Sequence, residues 1–570
     1  MIHLWKLQAL FGPMRPFLAK NILDRLREQR RVRALRGCFP STAYSREHLR
    51  SAIVPLPDAQ WLGHRGQEVV AFANRMVKGD VNAFGVSKWV VGGPDPDGVD
   101  VRSVHELSRM HHWCAYALAA HLETDKRDYW CEALAREIRV FMDSSPAETG
   151  IHWAFPMGTA LRLYSMLVAW DWACRTGWSG EEHAAVVVNA AVDHARSTYA
   201  RLESRGGLST SHYAANLLGL AAAGRYLDIG AESEEWLRVA RQELRSELTR
   251  QILPDGMVQE ASTGYHRQVT DIFVQATHLI EFTPDEKQRI ASACTNLREL
   301  ELFGMPLIGD NDDGLAVKLV GLVPDTGYLH AVFPTAHVSD VTIGARHKEA
   351  FGLVLLANEH FHVTMRNGPV GQFGKGGHAH NDANSITVSV GGNPVIVDPG
   401  TSLYTQDPNV RNQERGVHSH ATMWAENSNP RTLLYTSEGL FWLLERGTGS
   451  MQFSETSASG EYSSGELTHS RQFRVEPESI ICTDELRNQH GAVEGVISFP
   501  LAPNIVPKIL DNAVLLQGPS LSLELTWSQG EIAIEPLHVA PYFALRQESL
   551  CVRLRTSACT WQLRRTPHTT

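Results

Sequence analysis

Hydrophobic positions recur every three to four residues from about residue 101 to 300, and every second residue in short runs after about 334. The first pattern predicts amphipathic helices over 103–122, 127–144, 156–177, 181–204, 212–228, 232–252, 266–282 and 285–300. Breaks are expected at Asp125, Pro146, Gly177, Gly206, Gly230, Pro254 and Pro284. Helices of similar length on short links predict antiparallel pairs, and no strict sequence repeat is visible. The runs FGLVLLAN, FHVTMRN, SITVSV, TLLYTS, SRQFRVE and LSLELTW, separated by Gly, Pro, Asn and Ser, predict an antiparallel β-sandwich. The chain therefore reads as an α+β multidomain protein, with a helical leader over 1–60, a helical domain over 61–335 and a sandwich over 336–570.

Candidate chemistry concentrates between Gly371 and Thr422. Ile386, Val388 and Val390, then Gly391-Gly392, then Val395 and Val397 alternate as a hairpin does, with the glycine pair as its turn. His378, His380 and Asp382 alternate upstream, and an extended backbone there sends all three side chains from one face. A two-residue turn sets Asp398 opposite Ser385 and a three-residue loop sets it opposite Ile386. Either falls short of His380, so the Asp398-Pro399-Gly400 turn or a bulge has to close the gap. Imidazole nitrogen with carboxylate oxygen suits zinc, with His420 as a third ligand and water as a fourth. The plain alternative is a solvated polar strand face.

Two motifs in the helical region add candidates. STSHYAANLLGL puts Ser211 and His212 at a helix start, where Ser209 or Thr210 is a natural cap. LPDGMVQEASTGYHRQV has a turn at Asp255-Gly256 and puts Tyr265-His266-Arg267 where the next helix begins, able to face a cleft or to pack as ordinary helix residues. Glu106 and Arg109, spaced i, i+3, read as an ion pair on or within a helix.

Composition narrows the classes. With 570 residues, 43% hydrophobic and 20% charged, the chain is long enough for two or three globular domains. A net charge of −10 argues against general nucleic-acid binding, while a few local cations would still serve an acidic sugar. Eight cysteines without metal spacing predict no disulfide framework, and several that sit inside apolar helical patterns, such as Cys114, are expected to be buried thiols. The first twenty residues lack the apolar core and cleavage site of an ordinary export signal and are too polar to span a bilayer. They are expected to form a packed helix, with a membrane-surface helix as the alternative.

GHAHNDANSITVSVGGNPVIVDPGTSLY followed by ERGVHSHAT resembles the carboxyl-terminal domain of the heparinase II/III-like polysaccharide lyases, which include oligoalginate lyases. The family's G-H-x-H-x-D run, strand, D-P-G turn and later Arg and H-N-T are all present, except that Ala421 replaces the Asn. Glu260, Ser262 and Tyr265-His266 resemble the family's E-x-S-x-x-Y-H, and Ser211-His212 its N-H, with Ser for Asn. The resemblance implies an incomplete (α/α) toroid of helical hairpins ahead of the sandwich, and β-elimination at an acidic, uronate-containing polysaccharide where the two domains meet. Tyr265 would transfer protons, His212 and His378 would flank the sugar, and Ser211 and Tyr404 would add hydroxyls. Glu260, His266, Arg267 and Arg415 become candidates for substrate contact, although Arg415 also suits a loop brace. His380, Asp398 and His420 would hold one structural Zn2+, with no organic cofactor.

Two rivals stand beside this reading. One is a glycoside hydrolase using Glu106 and Glu260 as its carboxylate pair. The other is a glycan-binding or exopolysaccharide-assembly protein that keeps the fold without turnover. The family resemblance implies the periplasm or cell envelope, whereas the leader leaves a cytoplasmic location open. Sugar, linkage and oligomeric state are not specified by the sequence.

Overall fold

The computed structural model describes residues 15–35, 37–204, 207–333, 343–433 and 439–567. The start of the leader, the expected break at Gly206 and the end of the TLLYTS run lie outside the described residues. The chain forms two compact units. One comprises Met1–Gln251, Arg267–Ala291 and Asp313–Thr335, and the other Ile252–His266, Ser292–Asp312 and Ala336–Thr570.

The first unit is helical, with helices Ala59–Val77, His112–Leu122, Arg127–Ser144, Pro156–Cys174, Glu181–Ala200, Ser211–Tyr226 and Ala231–Gln251. Their ends follow local chemistry. Asp58 and Thr210 accept hydrogen bonds from backbone amides at helix starts, and Pro156 opens its helix where no amide partner is needed. Gly219 lets the helix Ser211–Tyr226 approach Pro156–Cys174, since a Cβ there would sit 2.7 Å from the Ala160 carbonyl. The helix expected over 103–122 is two helices, Val101–Leu107 and His112–Leu122, parted at Met110, whose φ is 56°. No Gly or Pro announces that break. A fully buried methionine is held in a left-handed conformation by its surroundings.

The second unit is built on antiparallel sheets. Strands Gly344–Lys348, Leu353–Ala357, Phe361–Arg366, Ser385–Val390 and Asn393–Ile396 form one sheet in that order. A larger sheet runs Gly447–Phe453, Ser457–Ser464, Leu467–Val475, Ser479–Asn488, Ala558–Arg565, Ser522–Trp527, Val514–Gln517 and Val506–Ile509. Val354, Val363 and Val388 of the first share a core with Phe473, Cys482 and Trp561 of the second, which makes a sandwich. Leu353 and Leu355 point the other way, onto Met257, Leu300, Phe303 and Ile308. Burial on both faces explains why LVLL is an unbroken apolar run rather than an alternating one.

The glycine hairpin forms as expected. Gly391 and Gly392 both have positive φ, and Val390 pairs with Asn393. A register shift between Val388 and Ser389 then sets Val388 opposite Ile396. The extra residue, Val395, brings Asp398 into line with Ile386 rather than Ser385, one position farther from His380, so the bulge does not close the gap and the Asp398-Pro399-Gly400 turn is left to do so. Among the described residues the cysteines are free, and no helix is long and apolar enough to cross a membrane.

Candidate functional site

In the second unit, the segment 252–266 holds the first group. Gly256, with φ 81°, turns the chain, and Leu253 and Met257 close the turn. Ser262 then caps the helix Thr263–Ala276, accepting from the Tyr265 amide at 3.1 Å while its hydroxyl donates to the Asp310 carbonyl at 2.5 Å. The serine of E-x-S-x-x-Y thus fixes the start of the turn that carries Tyr265. Gly309 is required beside it, because a Cβ would lie 2.6 Å from both the Ala261 and His378 carbonyls.

Tyr265 stacks on His378, with ring centres 3.6 Å apart and planes at 14°. Its hydroxyl lies 3.2 Å from that of Tyr404. His378 Nδ1 is 2.8 Å from Glu260 Oε2, and Gln372 Nε2 donates to the same carboxylate at 2.9 Å. A proton on Nδ1 satisfies Glu260 and leaves the lone pair on Nε2. Gln372 is itself fixed, its amide donating to the Gln259 carbonyl and its Oε1 accepting from the Gly377 amide, both at 2.9 Å. Tyr404 packs against Phe441, Phe543 and the Arg411 guanidinium. Burial pushes the Tyr404 hydroxyl well above the ordinary phenol range.

A second group lies in the same unit. Ligand atoms of His380, Asp398 and His420 fall within 4.8 Å of one another, so this buried cluster could hold a metal ion. The donor set fits one. His380 Nδ1 is buried without a hydrogen-bond partner while its Nε2 is engaged by Asp310 at 2.9 Å, and His420 Nδ1 stands 2.8 Å from Asp398 Oδ2, two donor atoms side by side. An imidazole oriented through one nitrogen by a carboxylate is the usual outer support of a metal ligand. Burial also lowers the His380 pKa, favouring the neutral form that ligates. Asp310 is held by Arg411 at 2.8 and 2.7 Å and by the Thr401 hydroxyl at 3.1 Å. Burial raises the Asp310 carboxyl, but Arg411 and His380 outweigh it and keep it well below the usual range.

Asp382 does not join this group. The backbone from His378 to Asp382 is not a strand, and the three side chains diverge. Asp382 pairs with Arg431 at 3.0 Å and lies 3.9 Å from Arg366, so the alternation there is not that of an extended face. Arg415 is fully buried, its guanidinium donating to the carbonyls of Leu440 and Trp442, the geometry of a loop brace. His266 is fully buried too, with Nε2 3.2 Å from the Ala293 carbonyl, and burial pushes its pKa down to about 3.

In the first unit, Ser211 and His212 open the helix Ser211–Tyr226, and Thr210 accepts from the His212 amide. Ser211 is fully buried. The His212 side chain is partly exposed, 3.0 Å from Glu203 and edge-on to Phe155. Arg267 faces Asp313 at 3.7 Å. Glu106 lies buried between Arg102, Arg109 and Lys318, each at 2.6 Å. Burial alone would raise its carboxyl, but the three cations hold it well below the usual range.

Sequence reasoning missed Glu203, Asp310, Gln372 and Arg411. The acidic run IGDNDDG was a visible signal for Asp310, Gln372 and Arg411 lie within the 371–422 stretch without a motif of their own, and nothing local marked Glu203.

No curated protein sequence matches the chain. Among solved structures, the fold is similar to that of heparinase III, at 15% identity over 93% of this chain and 87% of that one, with a TM-score of 0.68. The heparinase III BT4657 gene product gives 14% identity, 92% and 87% coverage and a TM-score of 0.60. A mutant heparan sulfate lyase HepC from Pedobacter heparinus gives 14%, 93% and 86%, and 0.56. The architecture is accordingly an α/α toroid followed by an antiparallel β-sandwich. The heparinase II/III N-terminus profile matches residues 95–300 and the heparinase II/III-like C-terminal profile residues 343–563. With both profiles in order along one chain, the protein belongs to the heparinase II/III-like family of polysaccharide lyases, enzymes that break carbon–oxygen bonds.

Proposed function

We propose that the protein cleaves a uronate-containing polysaccharide by β-elimination, with Tyr265 as the proton-transfer residue. The observation that carries this is the buried assembly in which Tyr265 stacks on His378 and shares a hydroxyl contact with Tyr404. In the reaction, the proton beside the uronate carboxyl is removed and its electron pair forms a carbon–carbon double bond. The glycosidic carbon–oxygen bond breaks, and the departing oxygen takes a proton.

A free tyrosine has a pKa of about 10, so base work needs its phenolate stabilised. Tyr404 suits that task, because burial keeps its own hydroxyl protonated and able to donate to Tyr265. His378, oriented by Glu260 and carrying its lone pair on Nε2, is assigned as the partner base, and His212 to the developing charge on the uronate. Heparan sulfate, named for one structural relative, is an acidic polysaccharide and supports the substrate class.

His380, Asp398 and His420 are assigned to a structural zinc ion, which would tie together three loops of the sandwich unit without entering the reaction. Hydrolysis is disfavoured by the state of the two carboxylates it would need. Glu106 is neutralised by three cations and Glu260 is engaged with His378, so neither is poised as acid or base.

The test is ultraviolet absorbance during incubation with heparan sulfate, hyaluronan, alginate and bacterial exopolysaccharides, because elimination creates a conjugated double bond. Tyr265→Phe should lower that rate by roughly 1,000-fold with an unchanged thermal melt. New reducing ends without absorbance would mean hydrolysis, and near-native rates in the variant would remove Tyr265 from the chemistry.

A further inference from the structure

The loop 371–377 beside His378 has an uncommon backbone. Gly371, Gln372, Phe373, Gly374 and Gly376 all have positive φ, and Gln372 and Phe373 adopt it without being glycine. Such a conformation persists only when its surroundings impose it. Here the Gln372 amide is tied to Gln259, its side chain to Glu260 and Gly377, and the Lys375 carbonyl to the Leu443 amide at 3.0 Å. The loop is therefore a fixed support, and it displays two side chains. Phe373 is 37% exposed, large for an apolar ring. Lys375 is partly buried, with Nζ 5.8 Å from the centre of the partly exposed Trp442 ring.

Among the described residues, no carboxylate lies within ion-pair distance of Lys375. Its close companion is an aromatic face. Burial lowers its pKa and the charge of Glu260 acts the other way, which places the ammonium in the electrostatic range of the carboxylate that orients His378. A partly buried ammonium over the face of Trp442 matches a pyranose bearing an acid group, whose C–H face lies on a ring while its anion meets the cation.

We propose that Lys375, with Trp442 and Phe373, forms a subsite that binds the carboxylate or sulfate of an acidic sugar and sets the enzyme's preference for charged polysaccharides. This rests on the lyase reading above and adds the residues that select the charge.

The experiment compares the full-length protein with Lys375→Met and Lys375→Arg on the polysaccharide of the panel that yields unsaturated product. Lys375→Met is expected to raise KM roughly 10- to 100-fold, the worth of one charge-assisted contact, with the loss falling on KM more than on kcat. Its dependence on salt should flatten, and Lys375→Arg should recover most of the affinity. An unchanged thermal melt excludes a folding defect. A KM within twofold of the parent, in an active enzyme, would overturn the subsite and leave the lyase reading standing.

If no polysaccharide of the panel is cleaved, the lyase reading fails. Titration calorimetry with alginate and heparan sulfate then decides the subsite independently. Binding that Lys375→Met abolishes supports it, and binding that the variant retains, or none at all, overturns it. Binding of heparan sulfate that desulfation removes would identify the sulfate, and binding that survives desulfation the carboxylate.

Discussion

Glu106 and Glu260 are both fully buried carboxylates, yet their surroundings differ in kind. Glu106 is enclosed by Arg102, Arg109 and Lys318, whereas Glu260 meets the carboxamide of Gln372 and the imidazole of His378. The same contrast separates other buried acids. Asp382 is clamped by Arg431 while Asp398 turns to His420, and Asp310 and Asp484 stand between, each meeting an arginine and an imidazole, Arg411 with His380 and Arg471 with His469. A carboxylate matched by strong cations spends its charge on holding the fold. One that meets imidazoles orients a group that can still bind a proton, a sugar or a metal.

The sharpest test of the structural side is Glu106→Gln. It leaves buried cations without their counter-charge and should cost about 3–5 kcal/mol, read from denaturant unfolding. Activity per folded molecule should be unaffected, and a loss of stability under 1 kcal/mol would break the contrast. At the other pole, no Lys or Arg pairs with Asp398 among the described residues, and the metal proposed above would supply the counter-charge. Chelation should therefore release about one zinc per chain, by elemental analysis, and cost about 4 kcal/mol, or roughly 10 °C of melting temperature. A purified protein without metal and insensitive to chelator would refute that assignment.

Acid should act next. Burial lowers His105 and His111 to about 4, the first beside Arg102, Arg109, His152 and Asp100, the second beside Lys318, Arg109 and Glu106. Both are neutral in the folded protein and become protonated first in the unfolded chain, whose pKa is about 6.5. The stability they contribute is complete above that value and declines as pH falls toward 4, by on the order of 3 kcal/mol for each. Depressed Glu106 works in the same direction at lower pH, since its share disappears only as pH falls from the unfolded carboxylate value through its folded one. Melting temperatures between pH 8 and 4 would show the slope. A flat profile would mean that these histidines are solvated.

The smallest expected change isolates the functional side. Glu260→Gln keeps the shape but loses the charge that orients His378, and turnover should fall roughly 100-fold with melting nearly unchanged. A large stability loss with normal turnover would place Glu260 with Glu106.

Local physical chemistry made much of this legible beforehand. The period of hydrophobic positions located the helices, the glycine pair located a hairpin, and Thr210 was a recognisable cap. Tyr265, His378, His380, Asp398 and His420 were legible as residue types in a familiar order, because turn and strand chemistry confine them to short stretches. The break at Met110 was not, because burial rather than a Gly or Pro imposes it. Asp382 was misread, since alternation signals a common face only where the backbone is extended.

By itself, then, the sequence determined the two fold classes, the order of the elements and which stretches hold the reactive side chains, since these depend on neighbours a few residues apart. Tertiary structure decided which of those groups meet. Tyr265 stacks on His378 across 113 positions of sequence, Asp310 reaches His380 across 70, and Glu106 finds Lys318 across 212. Charge and proton transfer depend on distances of a few ångströms, and only the packed chain sets those.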